Sequence, residues 1–284
     1  MLKRILQALA SASRELFRRW GAVLILLMLY LAMLGAIYLF FVTREATIGQ
    51  LILSLLLALA VPILFLVIQT MAARYSAGEG RALALLGGSL RDFWKLLVIS
   101  LPLIIIAVLA VYLFGKFGTT APAATVREAV RALPAPPRAA PTKPQPVHWQ
   151  SVALTTLQYL LFLLMFPLAA IHLWIATARD GLKQAFKGFA RILARAFAPQ
   201  AVVTYAIGFV LFAVVPYFLI VTKTSAASAW LDITLLALRL VLAVLLSLIG
   251  WVVTIAALGR LSTEGGSESV AQAGENAGHV PAEA

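Results

Sequence analysis

The sequence predicts an all-α, polytopic membrane helix bundle, and three observations carry that reading. Of 284 residues, 62% are hydrophobic and only 12% are charged, more apolar surface than a soluble domain of this length can hide. The apolar residues fall into six long blocks separated by polar stretches, as crossing helices require. Cations stand four apart beside several of these blocks, the spacing of a basic stripe on an amphipathic helix at a membrane surface.

Taken in order, residues 1–20 are amphipathic. Leu2, Ile5, Leu6, Leu9, Leu16 and Phe17 lie to one side, Arg14 and Arg18 to the other. They read as an interfacial helix or as a basic tail that only sets orientation. Gly21–Val42 is the first span. Its 22 residues measure about 33 Å as a helix, enough to cross. It is too long for a secretory signal core and lacks a cleavage site, so it is expected to be retained. Thr43–Gln50 is a polar turn and Leu51–Ala73 the second span. Pro62 should kink that span and free a carbonyl for a neighbouring helix to satisfy.

Ser76 and Glu79 have capping-box spacing and predict a helix start. Leu83, Leu86, Leu90, Phe93 and Leu97 form its apolar side, Arg91 and Lys95 its polar side, and Trp94 suits the headgroup level. Gly87-Gly88 weakens the helix locally. Leu96–Gly115 is the third span, with Pro102 near its start. Residues 116–150 hold seven prolines and predict an extended extracytoplasmic loop, with a short helix at Thr125–Leu133. The loop reads as a spacer by default or as a docking segment for a partner.

Ser151–Ala178 is the fourth span, with Pro167 inside, expected to bend it much as Pro62 bends the second. The basic stretch Asp180–Phe197 follows. Lys183, Lys187, Arg191 and Arg195 form one stripe, while Leu182, Phe186, Phe189, Leu193 and Phe197 gather opposite. Asp180 is its expected N-cap. Ala198–Val221 and Trp230–Leu258 are spans five and six, joined by Thr222–Ala229. Residues 1–261 therefore make one six-span domain. Residues 262–284, rich in Gly, Ser, Ala and Glu, are expected to be a disordered cytoplasmic tail.

Three stretches share one spacing: Ser11, Arg14, Arg18; Gly88, Arg91, Lys95; Gly188, Arg191, Arg195. Each even span ends in a small residue and arginine, at Arg74, Arg179 and Arg260. Pro62 and Pro167 stand twelve residues before the first two, where span six has Leu248. Two readings stay open: a threefold internal repeat with two or three interfacial helices, or cations collecting independently at one membrane edge.

Between two spans, SAGEGRALALLGGSLRDFWKLL resembles a loose group of bacterial six-span membrane domains. One of these is the membrane domain attached to some glycerophosphodiester phosphodiesterases. The resemblance implies spans and interfacial helices. It carries over no catalytic residue, and with no soluble phosphodiesterase segment in the sequence it implies no hydrolysis.

The net charge of +12 is placed beside membrane segments, which points to anionic lipid rather than nucleic acid. With both termini cytoplasmic, fifteen cations lie inside and seven outside. This predicts a multi-pass protein of the bacterial inner membrane. The chain has no cysteine, which excludes disulfides and thiol chemistry. It shows no phosphate loop, dinucleotide fingerprint or nucleophile elbow. His148 and His279 have no clustered partners, so neither a metal nor a cofactor is expected.

The expected headgroup contacts are Arg14, Arg18, Arg91, Lys95, Lys183, Lys187, Arg191 and Arg195. Within the spans, His172 could relay protons or bond a neighbouring helix. Arg239 could hold an anion or snorkel toward Asp232. Gln69, Gln158 and Thr204 are candidates for interhelical polar contacts, and Gly35, Gly208 and Gly250 for close helix approach. The leading functional reading is a non-enzymatic membrane protein whose basic rim contacts anionic lipid, in assembly, lipid organisation or transport. A membrane-protein partner or a second copy would fit that role. The alternatives are a small secondary transporter or lipid flippase, and a lipid-modifying membrane enzyme.

Overall fold

The structure, a computed structural model, describes residues 1–43, 47–78, 81–118, 149–222 and 228–277. Glu79, the Pro-rich stretch with the Thr125–Leu133 helix, His148 and His279 lie outside the described residues. All regular structure among the described residues is helical. Six helices are long and apolar enough to cross a membrane: Trp20–Val42, Ile48–Ser76, Ala82–Lys116, Val152–Asp180, Pro199–Val221 and Ala229–Thr263. The protein is an all-α, multi-pass membrane protein.

The elements are α1 (Leu2–Arg18), α2 (Trp20–Val42), α3 (Ile48–Ser76), α4 (Ala82–Gly118), α5 (Trp149–Tyr159) and α6 (Phe166–Asp180). Then come α7 (Leu182–Lys187), α8 (Phe189–Ala196), α9 (Pro199–Phe209), α10 (Val215–Val221) and α11 (Ala229–Ala277). Two π turns complete the set. Leu160–Met165 joins α5 to α6, and Val210–Val214 joins α9 to α10. Each precedes a proline, Pro167 or Pro216. Widening the helix is one way to relieve the clash a proline ring makes with the preceding turn. Pro62, by contrast, sits inside unbroken α3. The expected likeness of Pro62 and Pro167 is therefore not found; Pro167 shares its local structure with Pro216.

The chain divides into two units, residues 1–100 with 168–284 and residues 101–167. In the smaller one, Phe162 meets Phe114 and Phe166 at ring separations of 6.5 and 5.4 Å. In the larger one α11 is the centre, in contact with α1, α2, α3, α9, α10 and the second π turn. Half of its most apolar stretch (50%) is buried in protein, against 11% for α2.

Between lipid-solvated helices the driving force is close packing rather than water exclusion. Small residues accordingly mark the α11 contacts. A Cβ on Gly208 would stand 2.1 Å from Thr254 Oγ1, and one on Gly250 3.0 Å from Phe212 Cβ. Gly35 meets nothing within 4 Å, so of the three expected close approaches it is the one not made.

Polar bonds stitch the same unit. Trp251 Nε1 donates to Gln69 Oε1 at 2.8 Å, and Trp174 Nε1 to Ser100 Oγ at 2.9 Å. In α register the amide at position 216 would donate to the Phe212 carbonyl. Proline has no such amide, and Ser247 Oγ on α11 donates to that carbonyl at 2.8 Å. Thr204 bonds Gln200 of its own helix and Gln158 is exposed, so of the three expected bridging residues only Gln69 links two helices by a hydrogen bond.

Three boundaries differ from expectation. The second basic segment is not a separate surface helix, because α4 runs unbroken for 37 residues through Gly87-Gly88, about 55 Å. Its N-terminal turns continue directly into the third span. Ser76 is the last residue of α3, with its hydroxyl on the Ala73 carbonyl, so it starts no helix. The capping box belongs instead to Thr47 and Gln50, each side chain bonding the other's amide at 3.3 and 3.0 Å. Finally, α11 continues past Ser262 to Ala277, where composition predicts disorder. A helix extended from one already formed escapes the nucleation cost that a separate segment faces.

Candidate functional site

The functional candidates cluster at the end of the larger unit where α3, α6 and α11 reach their arginines. Arg74 reaches from α3 to α4. Its Nη1 lies 2.6 Å from Asp92 Oδ2, while Lys95 Nζ and Arg91 Nε approach Oδ1 at 2.8 and 3.6 Å. The guanidinium rests against Gly88, one helical turn before Asp92. A Cβ at Gly88 would stand 2.5 Å from Arg74 Cζ.

Arg260 makes the matching contact on α1. It donates to Ser11 Oγ and to the Glu15 carboxylate, and Arg19 Nη2 holds the other Glu15 oxygen at 2.8 Å. Ser11 and Glu15 are spaced as Gly88 and Asp92 are. Thus two of the three arginines closing even spans, Arg74 and Arg260, clasp an acid that follows a small residue by four positions on a basic helix. Such charge-assisted bonds are the stronger kind.

The third such pair would be Gly188 and Ile192, and there the acid is missing. Arg179 donates instead to Ser262 Oγ at a long 3.5 Å. The basic segment after it is not one helix capped by Asp180. Asp180 ends α6 and Gly181 turns the chain with φ +80°. That value suits glycine, which has no Cβ penalty there. Gly188 then divides the segment into α7 and α8. Lys183, Lys187, Arg191 and Arg195 are all exposed. None of the four is in an ion pair among the described residues. Phe186 and Phe197 are exposed too. The remaining apolar residues, Leu182, Phe189 and Leu193, are half-buried.

On α1 the apolar side proves to be two faces. Ile5, Ala8, Leu9, Ala12 and Leu16 are buried in protein, whereas Leu2, Leu6 and Phe17 are exposed. The helix thus docks on α11 and α2 while keeping an apolar strip free. Elsewhere on the helix, Ser11, Arg14, Glu15, Arg18, Arg19 and Arg260 line a pocket of about 280 Å³. Arg14 and Arg18 have no carboxylate partner among the described residues. Arg19 also lies over the Tyr75 ring, 5.7 Å from its centroid. The Tyr75 hydroxyl is buried and, among the described residues, without a hydrogen-bond partner.

The intramembrane candidates are engaged locally. His172 is 7% exposed, and its Nδ1 lies 2.9 Å from the Leu168 carbonyl of its own helix, not from a neighbouring one. Arg239 Nη1 donates to the Thr222 carbonyl at 2.6 Å, just past the end of α10. There it meets the negative end of the helix dipole. The side chain therefore extends toward its end of the span, as a snorkelling arginine does. Asp232, in the first turn of α11, is half-exposed and has a partner of its own.

Sequence reasoning found the cations and missed Glu15 and Asp92, the acids that organise them. The signal was present, since each directly follows the first cation of its stretch: Arg14-Glu15, Arg91-Asp92, and then Arg191-Ile192. No family model matches this chain, and neither does any curated protein or solved structure.

Proposed function

We propose that this is a non-enzymatic protein of the bacterial inner membrane whose basic cytoplasmic rim binds anionic phospholipid headgroups. Both termini lie in the cytoplasm, and the role belongs to membrane assembly, lipid organisation or transport. One observation carries the reading. On α1 and α4 the acids Glu15 and Asp92 engage arginines or lysines, whereas α7–α8 presents four exposed cations with no acid among them. Exposed Phe186 and Phe197 supply the apolar side such a helix pair needs at a bilayer surface. A cation near an anionic leaflet contributes about 1 kcal/mol, so four contribute roughly 4 kcal/mol.

The transport reading needs His172 or Arg239 to face a polar path, whereas His172 bonds its own helix and Arg239 reaches the Thr222 carbonyl past the end of α10. That leaves headgroup binding the better supported. The test is native mass spectrometry of the purified full chain equilibrated with a mixture of neutral and anionic lipid. The wild type is expected to retain anionic lipid above its share of the mixture. The variant K183Q/K187Q/R191Q/R195Q is expected to fall toward the bulk ratio. Undiminished enrichment in that variant would overturn the proposal.

A further inference from the structure

The pocket between α1 and Arg260 differs in kind from an exposed basic stripe, because it is concave and mixes one acid with four guanidiniums. We propose that Ser11, Arg14, Arg18, Arg19 and Arg260 form a binding site for a phosphomonoester dianion, with Glu15 fixing two of the arginines. This deepens the headgroup reading by naming one headgroup class and one place.

Charge comes first. Four arginines against one carboxylate leave an excess of three positive charges. Glu15 already receives Arg19 and Arg260, so Arg14 and Arg18, one turn apart on α1, are the uncommitted pair. A phosphodiester brings a single charge and two terminal oxygens. A phosphomonoester brings nearly two charges and three terminal oxygens, enough to take forks from Arg14 and Arg18 together. The Ser11 hydroxyl at the same wall donates to the Ala8 carbonyl and accepts from Arg260, which fixes that arginine in place.

Size agrees. A volume of about 280 Å³ accommodates a phosphate with a glycerol fragment and lies just under the range of small-ligand sites, about 300–1,000 Å³. Acyl chains do not fit inside. They would remain outside it.

The chemistry could come from a lipid such as phosphatidic acid or from a soluble phosphomonoester, and the experiment separates them. The full chain is equilibrated in detergent with phosphatidic acid, phosphatidylglycerol or glycerol 3-phosphate, each in turn, and bound ligand is read by native mass spectrometry. Wild type is expected to retain phosphatidic acid or glycerol 3-phosphate about tenfold better than phosphatidylglycerol. Retention of the first names a lipid source, and retention of the second alone names a soluble one. R14Q/R18Q, which breaks no ion pair within the protein, is expected to abolish that preference.

Equal retention of the monoester and the diester overturns the proposal. A preference that survives in R14Q/R18Q does so too. The variant K183Q/K187Q/R191Q/R195Q keeps the pocket intact. If it loses general anionic enrichment but keeps the monoester preference, the pocket stands apart from the stripe. If R14Q/R18Q shows no effect while the stripe variant does, the pocket alone has failed.

Discussion

The guanidinium of Arg74 occupies the space that a side chain at Gly88 would need. A Cβ there would lie 2.5 Å from Arg74 Cζ and 2.7 Å from Nη1. The bare backbone at Gly88 lets the arginine lie flat along α4 and reach Asp92, whose side chain is only 16% exposed.

Gly88→Ala is therefore expected to act through Arg74. The guanidinium is the flexible end of its side chain and yields before the backbone does, so the cost is the lost contact with Asp92, about 2 kcal/mol. Arg74→Gln should cost about as much. The double variant should cost little more than either alone, since both remove one interaction. Thermal unfolding of the purified chain checks this, and full additivity would show the two residues to be independent.

Ile192 stands where α1 and α4 carry Glu15 and Asp92. Ile192→Asp is expected to pair with Arg191 or Arg195 on the same helix and to reduce the anionic-lipid preference by about 1–2 kcal/mol. Lipid retention measured beside wild type decides it. An unchanged preference would mean that the missing acid is not what leaves α7–α8 open to headgroups.

The crossing of α9 and α11 depends on Gly208. Gly208→Ala would drive its Cβ to 2.1 Å from Thr254 Oγ1 and 2.6 Å from Cγ2, an overpacking cost of about 1–3 kcal/mol. Thr254→Ala removes both of those atoms and is expected to recover more than half of that loss in the double variant. Unfolding temperatures of the four proteins give the answer.

Ser247→Ala would leave the Phe212 carbonyl without its bond from α11. Since lipid offers no replacement donor, a loss of about 1–2 kcal/mol is expected. Ser247→Thr keeps a hydroxyl and should lose less. Equal losses in the two variants would argue against the hydrogen bond as the cause.

Orientation can be read chemically, because the chain holds no cysteine. Gln184→Cys, on exposed α7, is expected to resist membrane-impermeant thiol reagents in intact cells and to react after the membrane is opened. Labelling in intact cells would invert the proposed topology.

The six crossings were legible because a run of apolar residues long enough to span has few other fates. Amphipathic stretches were legible as helices, but not in what their faces touch. Ile5 and Leu6 look alike in the sequence, yet one is buried against protein and the other exposed. Periodicity reports that a face is apolar, not whether protein or lipid covers it. The clasps were invisible for a different reason. Glu15 and Asp92 read as isolated acids among cations until Arg260 and Arg74 arrive from elsewhere in the chain. Likewise Thr47 and Gln50 form a capping box not expected from the sequence, while Ser76 ends α3.

The clasp of Arg260 on Glu15 joins positions 245 residues apart. At a synthesis rate of about 5–20 residues per second, roughly 12–50 s pass between the making of the acid and the making of the arginine. During that interval the amino-terminal helix has no mate for its carboxylate on α11. Its seat is completed only by the sixth crossing, so a chain cut short before that point would carry an undocked α1, a ready mark for quality control.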